Sequence, residues 1–232
     1  MELLLEGLSK GVSLLLQGDP EVLHIVLLTL RVSGTATLLS LVVGVSLGAL
    51  VGLSSFPGRS ILMSFVNTGM GLPPVVVGLF VTIFLWRNGP LGALGLLYTP
   101  TAMILAQAVI ATPIVAGISI AAMQGLSDKL RLQILSLGAT RFQVAWILIK
   151  EARLQLLAAV MAGFGGVISE VGASMMVGGN IKGYTRVLTT ATVMETAKGN
   201  FDVAIALSII LLLLAYAITL VLTQVQQKGH GA

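Results

Sequence analysis

The sequence has no cysteine, only two histidines and few charged residues, which make up 9% of its 232 positions. Without cysteine the chain has no disulfide and no thiolate metal site. His24 and His230 are too far apart in sequence to suggest a histidine metal site. The chain also lacks a Walker A loop and the zincin and kinase signatures. We therefore expect no catalytic residue, cofactor or metal in this chain, and any energy for driven work must enter through a partner.

Apolar residues dominate the sequence, at 56% of all positions. Soluble domains usually contain about 25% charged residues, far more than this chain has. The composition predicts an integral membrane protein with length for roughly five or six spans. The net charge of +4 comes from dispersed basic residues, so it bears on membrane topology and predicts no nucleic-acid partner.

Apolar blocks separated by polar turns predict an all-α membrane protein with about five transmembrane helices. Residues 1–18 carry charge on one side of a helix, which predicts a helix lying in the membrane interface. Residues 182–200 predict a polar loop or a short re-entrant segment, and residues 225–232 a tail. The transmembrane domain is residues 23–224, with spans at about 23–53, 61–86, 98–123, 154–177 and 201–222.

Two of these spans contain breaks that suit a translocation pathway. Pro73 and Pro74 remove two backbone donors and predict a kink near mid-membrane, which acts either as a gate or as a static bend. Gly178, Gly179 and Asn180 end the fourth span. They form either an entrance region for a substrate or a simple helix cap.

Two polar residues are predicted to face the interior of the bundle. Gln107 is expected to form a hydrogen bond between helices. Glu170 is an intramembrane carboxylate, which costs about 2.5–3.5 kcal/mol on insertion scales unless its surroundings offset this. Protonation, pairing with a cation such as Arg31, or hydrogen bonding to backbone freed at a helix break would each do so. A continuous helix would place Glu170 in one inward stripe with Ala159, Gly163, Gly166 and Ala173.

Residues 126–153, which we call the knob, form a charged segment between two apolar blocks. Ser127 predicts the N-cap of a short helix, and Gly138 predicts its left-handed stop. Thr140 and Gln143 fit a capping box that begins a second helix. Such a folded knob either docks into another protein or rests on the membrane surface. Its apolar surface is predicted to consist of Leu130, Ile134, Leu135, Leu137, Phe142, Val144 and Trp146.

The basic residues favour a cytoplasmic knob under the positive-inside rule. Five spans then place the N-terminus outside and the C-terminus in the cytoplasm.

Residues 137–141, Leu-Gly-Ala-Thr-Arg, resemble the cytoplasmic coupling loop of permease subunits in type I ABC importers. Residues 132–134 are Leu-Gln-Ile where that family commonly has Glu-Ala-Ala, and residues 150–151 are Lys-Glu where it has Leu-Pro. Other segments are similar to the tungstate-type permeases of the molybdate, sulfate and tungstate group. The segments similar to these permeases are 71–78, 89–92, 98–102, 170–173, 178–181 and 185–190. The similarity as a whole covers residues 23–224.

The resemblance implies a permease subunit of the cell (inner) membrane that imports an oxyanion. Tungstate is the expected substrate, and molybdate and sulfate are the alternatives. The implied partners are a second copy of the chain, a cytoplasmic pair of ATPases that use Mg-ATP, an extracytoplasmic oxyanion-binding protein, and membrane lipid. Lys182 and Arg186 are expected to contact the binding protein. ATPase contacts are expected at Leu135, Leu137, Gly138, Ala139, Thr140, Arg141 and Phe142.

An ion channel and a membrane-embedded enzyme are competing functions. A channel would share the broken helices but would not need a docking knob. An enzyme would need several intramembrane polar residues at helical spacing, and only Glu170 clearly qualifies. Binding of an ATPase to this chain would separate a transport subunit from a channel.

Overall fold

The computed structural model describes residue 7, residues 9–11, residue 13 and residues 17–228. Regular structure in this part of the chain is helical, with no β-strand. The predicted interfacial helix at residues 1–18 falls largely outside the described residues, and residues 229–232 of the predicted tail fall outside them entirely. The helices are α1 Pro20–Leu53, α2 Arg59–Met70, α3 Pro74–Leu85, α4 Pro100–Gln124, α5 Asp128–Ser136, α6 Arg141–Glu151, α7 Arg153–Ile168, α8 Gly172–Gly178, α9 Leu188–Ala197 and α10 Phe201–Lys228.

The described residues contain up to five membrane spans, the number that the sequence predicts. Helices α1, α4 and α10 are each long and apolar enough to cross a bilayer alone. Helices α2 and α3 form a pair bent by 105°, and α7 and α8 form a second pair bent by 60°. The total is five if each bent pair is one span. The predicted all-α membrane class is therefore confirmed.

The 105° bend between α2 and α3 follows from the prolines of the second span. Gly71 caps the end of α2, and Pro73 is extended, with φ −62° and ψ 123°. Neither Pro73 nor Pro74 has an N–H group to continue a helical ladder. The carbonyl of Pro73 instead accepts a hydrogen bond from the N–H of Val76 at 2.9 Å, within the new helix. The predicted kink is a complete break.

The fourth span is not the continuous helix that the sequence predicts, because residues 169–171 separate α7 from α8. Ser169 Oγ donates to the carbonyl of Gly165 at 2.8 Å, and the Glu170 carboxylate accepts from the N–H of Ala173. Such side-chain bonds compete with the helical ladder. The sequence interpretation was therefore wrong in placing Glu170 on one continuous stripe with Ala159, Gly163, Gly166 and Ala173.

Helix α1 lies against α4, and small residues of α1 allow the close approach. A Cβ atom built on Gly44 would lie 2.8 Å from Cβ of Val115, and one on Gly52 would lie 2.6 Å from Cβ of Met123. Real side chains do not tolerate such distances, so these positions need glycine. This pair of helices forms the centre against which the broken spans pack.

Residues 188–197 form helix α9, where the sequence predicts a polar loop or a re-entrant segment. Leu188 and Ala191 are buried against Ile25 of α1 and Leu207 of α10. The N–H of Leu188 also donates to Oγ1 of Thr29 at 3.0 Å. Contacts with two distant helices therefore hold α9 in place.

Candidate coupling surface and pathway

The knob is a helix–turn–helix, as predicted. Ser127 Oγ accepts from the N–H of Lys129 at the start of α5. Thr140 and Gln143 form the predicted reciprocal capping box at the start of α6. Gly138 joins the two helices with φ +81°, a conformation that glycine adopts without steric cost. Neighbouring residues therefore provide both helix caps and the turn of this segment.

One side of the knob is buried and the other side is apolar and exposed. Ile134 and Val144, predicted as surface residues, instead form the core of the knob with Leu148. Leu137 and Phe142 are 86% and 80% exposed. Large apolar side chains exposed to this extent on one short segment mark a site that a partner or a membrane covers. The other exposed large apolar residues of the knob are Leu132, Leu135, Trp146 and Ile147.

Glu170 is buried at the break between α7 and α8, with 8% of its surface exposed. Its Oε1 atom accepts from the N–H of Ala173 at 2.8 Å, and its carbonyl accepts from Oγ1 of Thr189 at 3.0 Å. Arg31 is exposed, and among the described residues no ion pair includes either Arg31 or Glu170. Of the environments proposed for Glu170 from the sequence, the structure contains the hydrogen bond to a backbone N–H that the helix break leaves free.

The two helix breaks lie against each other, because α3 packs on α8. A Cβ atom built on Gly172 would lie 2.7 Å from Cγ2 of Val75. One built on Gly78 would lie 2.7 Å from Cα of Ala173. The structure therefore brings together the segments that follow Pro73–Pro74 and Glu170, which are about 100 residues apart in sequence.

Gln107 links α4 to α8 through the predicted hydrogen bond between helices. Its Nε2 atom donates to Oγ of Ser174 at 2.9 Å, and both residues are buried. Oε1 of Gln107 is buried and has no hydrogen-bond partner among the described residues. The bond holds α8, and with it the Glu170 break, against the central pair of helices.

Gly178, Gly179 and Asn180 form the predicted end of the fourth span, in a tightly bonded turn. Gly179 has φ +71° and Asn180 has φ +50°. The buried Thr185 closes the turn, since its Oγ1 donates to the carbonyl of Gly178 at 2.6 Å and accepts from the N–H of Ile181 at 2.9 Å. The helix-cap interpretation of these residues is therefore correct, and a role as an entrance would be additional.

Lys182 and Arg186 both pair with Glu21, in the first turn of α1. Lys182 Nζ lies 2.7 Å from Oε2 of Glu21, and Arg186 Nη1 lies 3.7 Å from its Oε1. These pairs attach the loop after α8 to the start of α1. Sequence reasoning missed the role of Glu21. The only signal in the sequence is that Glu21, just before the first predicted span, and the two cations, just after the fourth, carry opposite charges.

A charged cavity of about 380 Å³ lies beside these ion pairs. Its other cations are also paired: Lys10 with Asp202, and Lys198 with Glu195 at 2.9 Å. Hydrogen bonds from Asn200 and Lys198 hold the pKa of Glu195 below its usual range, so this carboxylate is ionised at neutral pH. Each cation that lines the cavity has a carboxylate partner, so a dianion here would compete with protein carboxylates.

The chain is similar to known transport proteins over nearly its whole length. Residues 44–228 match the family described as "Binding-protein-dependent transport system inner membrane component". The chain is 40% identical to the tungstate uptake system permease protein TupB of Peptoclostridium acidaminophilum, over 98% of this chain and all of that one. It is 39% identical to a probable anion ABC transporter permease protein of Haloferax volcanii, over 92% of this chain and 96% of the other. It is 30% identical to the molybdenum transport system permease protein ModB of Escherichia coli, over 85% and 93%.

The fold is also shared with a solved transporter. A crystal structure of an amino acid ABC transporter with histidines superposes with a TM-score of 0.67 at 19% identity, over 92% of this chain and 96% of that one. These similarities confirm the resemblance to ABC permeases that the motifs indicate. The chain belongs to the family of binding-protein-dependent transport system inner membrane components.

Proposed function

We propose that this protein is the permease subunit of an ATP-driven importer that carries tungstate. The observation that carries this proposal is the 40% identity to a tungstate uptake permease along the full length of that relative. The exposed apolar knob and the broken spans support the mechanism, because a pathway of movable helices needs a connection to an energy source. This sequence has no Walker A loop, so the ATP is bound by a partner.

The working assembly contains two copies of this chain, a pair of ATPases and an extracytoplasmic binding protein. Leu137 and Phe142, the most exposed apolar residues of the knob, enter a groove of the ATPase. ATP draws the two ATPases together, and each knob moves with its ATPase. The knob core packs on Leu53 of α1 and Leu126 beyond α4, which carries the motion to the central helices.

The knob faces the cytoplasm, the N-terminus lies outside and the C-terminus lies inside. With five spans, the knob side holds more basic residues than the opposite side, which is the bias of bacterial inner-membrane proteins. The residues on the knob side are Arg59, Lys129, Arg131, Arg141, Lys150, Arg153 and Lys228, and those opposite are Lys10, Arg87, Lys182, Arg186 and Lys198.

The oxyanion passes between the two copies and meets neutral hydrogen-bond donors on the way. The contact between the Pro73–Pro74 break and the Glu170 break is the part of each copy that opens and closes. Glu170 braces this contact and does not touch the anion, since an ionised carboxylate repels a dianion. Asn180 and the glycines before it form the entrance, where Lys182 and Arg186 contact the binding protein.

Competition between oxyanions tests the proposed substrate. The chain would be produced with its ATPase and binding protein in cells that lack oxyanion uptake, and cellular tungsten would be measured. We expect ATP-dependent tungsten accumulation that an excess of sulfate or molybdate lowers only slightly. Equal competition by molybdate or sulfate would assign one of those anions as the substrate. An anion flux that needs no ATPase would instead indicate a channel.

A further inference from the structure

A groove of about 880 Å³ lies beside the knob and is lined by residues of α1, α6, α7 and α10. Most of its lining is aliphatic, and no side chain of the described residues fills it. Aliphatic walls around a volume of this size suit a flexible alkyl chain rather than a small polar ligand. Its aliphatic walls include Leu41, Val45, Ile149, Leu156, Leu157 and Val160.

Three cations line the same groove: Lys150 at the end of α6, Arg153 at the start of α7 and Lys228 at the end of α10. Among the described residues, none of the three forms an ion pair. Lys150 Nζ lies 5.6 Å from the centroid of the Trp146 ring, which also lines the groove. Glu151, the acid between Lys150 and Arg153 in sequence, is exposed and is not part of the lining. The groove therefore combines hydrocarbon walls with three cations that form no ion pair within the described part of the chain.

The helix ends place these cations at the boundary between membrane and water. Helix α7 begins at Arg153 and α10 ends at Lys228, on the side of the molecule that carries the knob. Gln226 Nε2 donates to the carbonyl of Leu154 at 3.2 Å, which fixes the end of α10 beside the start of α7. Trp146 is half exposed here, and amphipathic aromatic rings favour this depth.

We propose that this groove binds one anionic phospholipid, with an acyl chain against the aliphatic walls and the phosphate among Lys150, Arg153 and Lys228. Basic pockets between helices at the membrane surface bind anionic headgroups in this manner. A zwitterionic lipid would fill the trough but leave the positive charge uncompensated. The bound lipid joins α6 of the knob to α7 and α10, so it stiffens the connection through which the knob moves the spans.

Tryptophan fluorescence tests the proposal, because the chain has only two tryptophans, Trp86 and Trp146. The full-length Trp86→Phe chain would be reconstituted in phosphatidylcholine vesicles that contain increasing fractions of brominated phosphatidylglycerol or brominated phosphatidylcholine. Bromine quenches a tryptophan in contact with the lipid, and matched vesicles without bromine give the reference intensity. We expect half-maximal quenching by phosphatidylglycerol at roughly a tenfold lower fraction than by phosphatidylcholine.

The matched variants separate the groove from general attraction to anionic lipid. In the same Trp86→Phe background, the triple variant that combines Lys150→Gln, Arg153→Gln and Lys228→Gln should lose the preference for phosphatidylglycerol. Lys228→Gln alone, at a helix end, should lower it by about two- to fivefold. Lys129→Gln removes a cation that does not line the groove and should keep the full preference.

Equal quenching by the two lipids would overturn the proposal. A preference for phosphatidylglycerol that survives both Lys228→Gln and the triple variant would overturn it too. No quenching by either lipid would mean that the groove does not admit lipid, which also overturns the proposal.

Discussion

Replacing Gly138 with valine should lower tungstate uptake by roughly tenfold at unchanged abundance of the permease, while the ATPase still hydrolyses ATP. Gly138 has φ +81°, and nothing lies within 4 Å of a Cβ atom built there. The cost therefore arises from the backbone, since a left-handed conformation costs a residue with a side chain about 1–2 kcal/mol, and a β-branched residue fits it poorly. The turn should distort and misplace Leu137 and Phe142.

The control for this experiment is Gly138→Asn, because asparagine tolerates the left-handed region better than other residues with side chains. Its uptake should stay close to that of the parent chain. Uptake and ATP hydrolysis would be measured together in vesicles that contain the assembled transporter. Normal uptake by Gly138→Val at normal abundance would exclude the turn from coupling.

Replacing Glu170 with alanine should lower both assembly and uptake by roughly tenfold, whereas Glu170→Gln should retain much of each. The carboxylate accepts from the N–H of Ala173 at 2.8 Å within the break between α7 and α8. Alanine leaves that buried donor without this partner, which costs about 1–3 kcal/mol. The glutamine amide carbonyl can accept the same hydrogen bond without carrying charge.

The two Glu170 variants distinguish a brace from a charged group. Assembly would be measured by size-exclusion chromatography of the detergent-solubilised complex, and uptake in the same preparations. If Glu170→Gln is impaired as strongly as Glu170→Ala, the negative charge itself is required and a cation must face it in the dimer. Uptake by Glu170→Ala at the level of the parent chain would remove Glu170 from the mechanism.

The parts of the fold that sequence predicts are those governed by neighbouring residues. The caps at Ser127 and Thr140, the turn at Gly138 and the break at Pro73–Pro74 all occur as expected. Each depends on side chains or ring geometry within about four residues, so the local pattern contains the information. The spans follow for the same reason, because twenty apolar residues in a row have few alternatives to a membrane helix.

The parts that escaped prediction depend on residues far apart in sequence. The break before α8 also has distant contacts: Oγ1 of Thr189 donates to the carbonyl of Glu170, and Gly172 packs against Val75 of α3. Helix α9 is held by Leu188 against α1 and α10. The pairing of Glu21 with Lys182 and Arg186 joins the start of α1 to the loop after α8. Only the packed bundle brings these groups into contact.

The central claim is that the exposed side of the knob contacts an ATPase, and a single introduced cysteine tests it most directly. The chain has no cysteine of its own, so Leu137→Cys gives one reactive thiol, at a position that is 86% exposed. A thiol-linked photo-crosslinker would be activated in membranes that contain the complete transporter. Leu212→Cys, on the exposed apolar surface of α10, is the control. We predict that residue 137 crosslinks to the ATPase and residue 212 does not, whereas crosslinks from both positions to lipid alone would mean that the knob rests on the membrane.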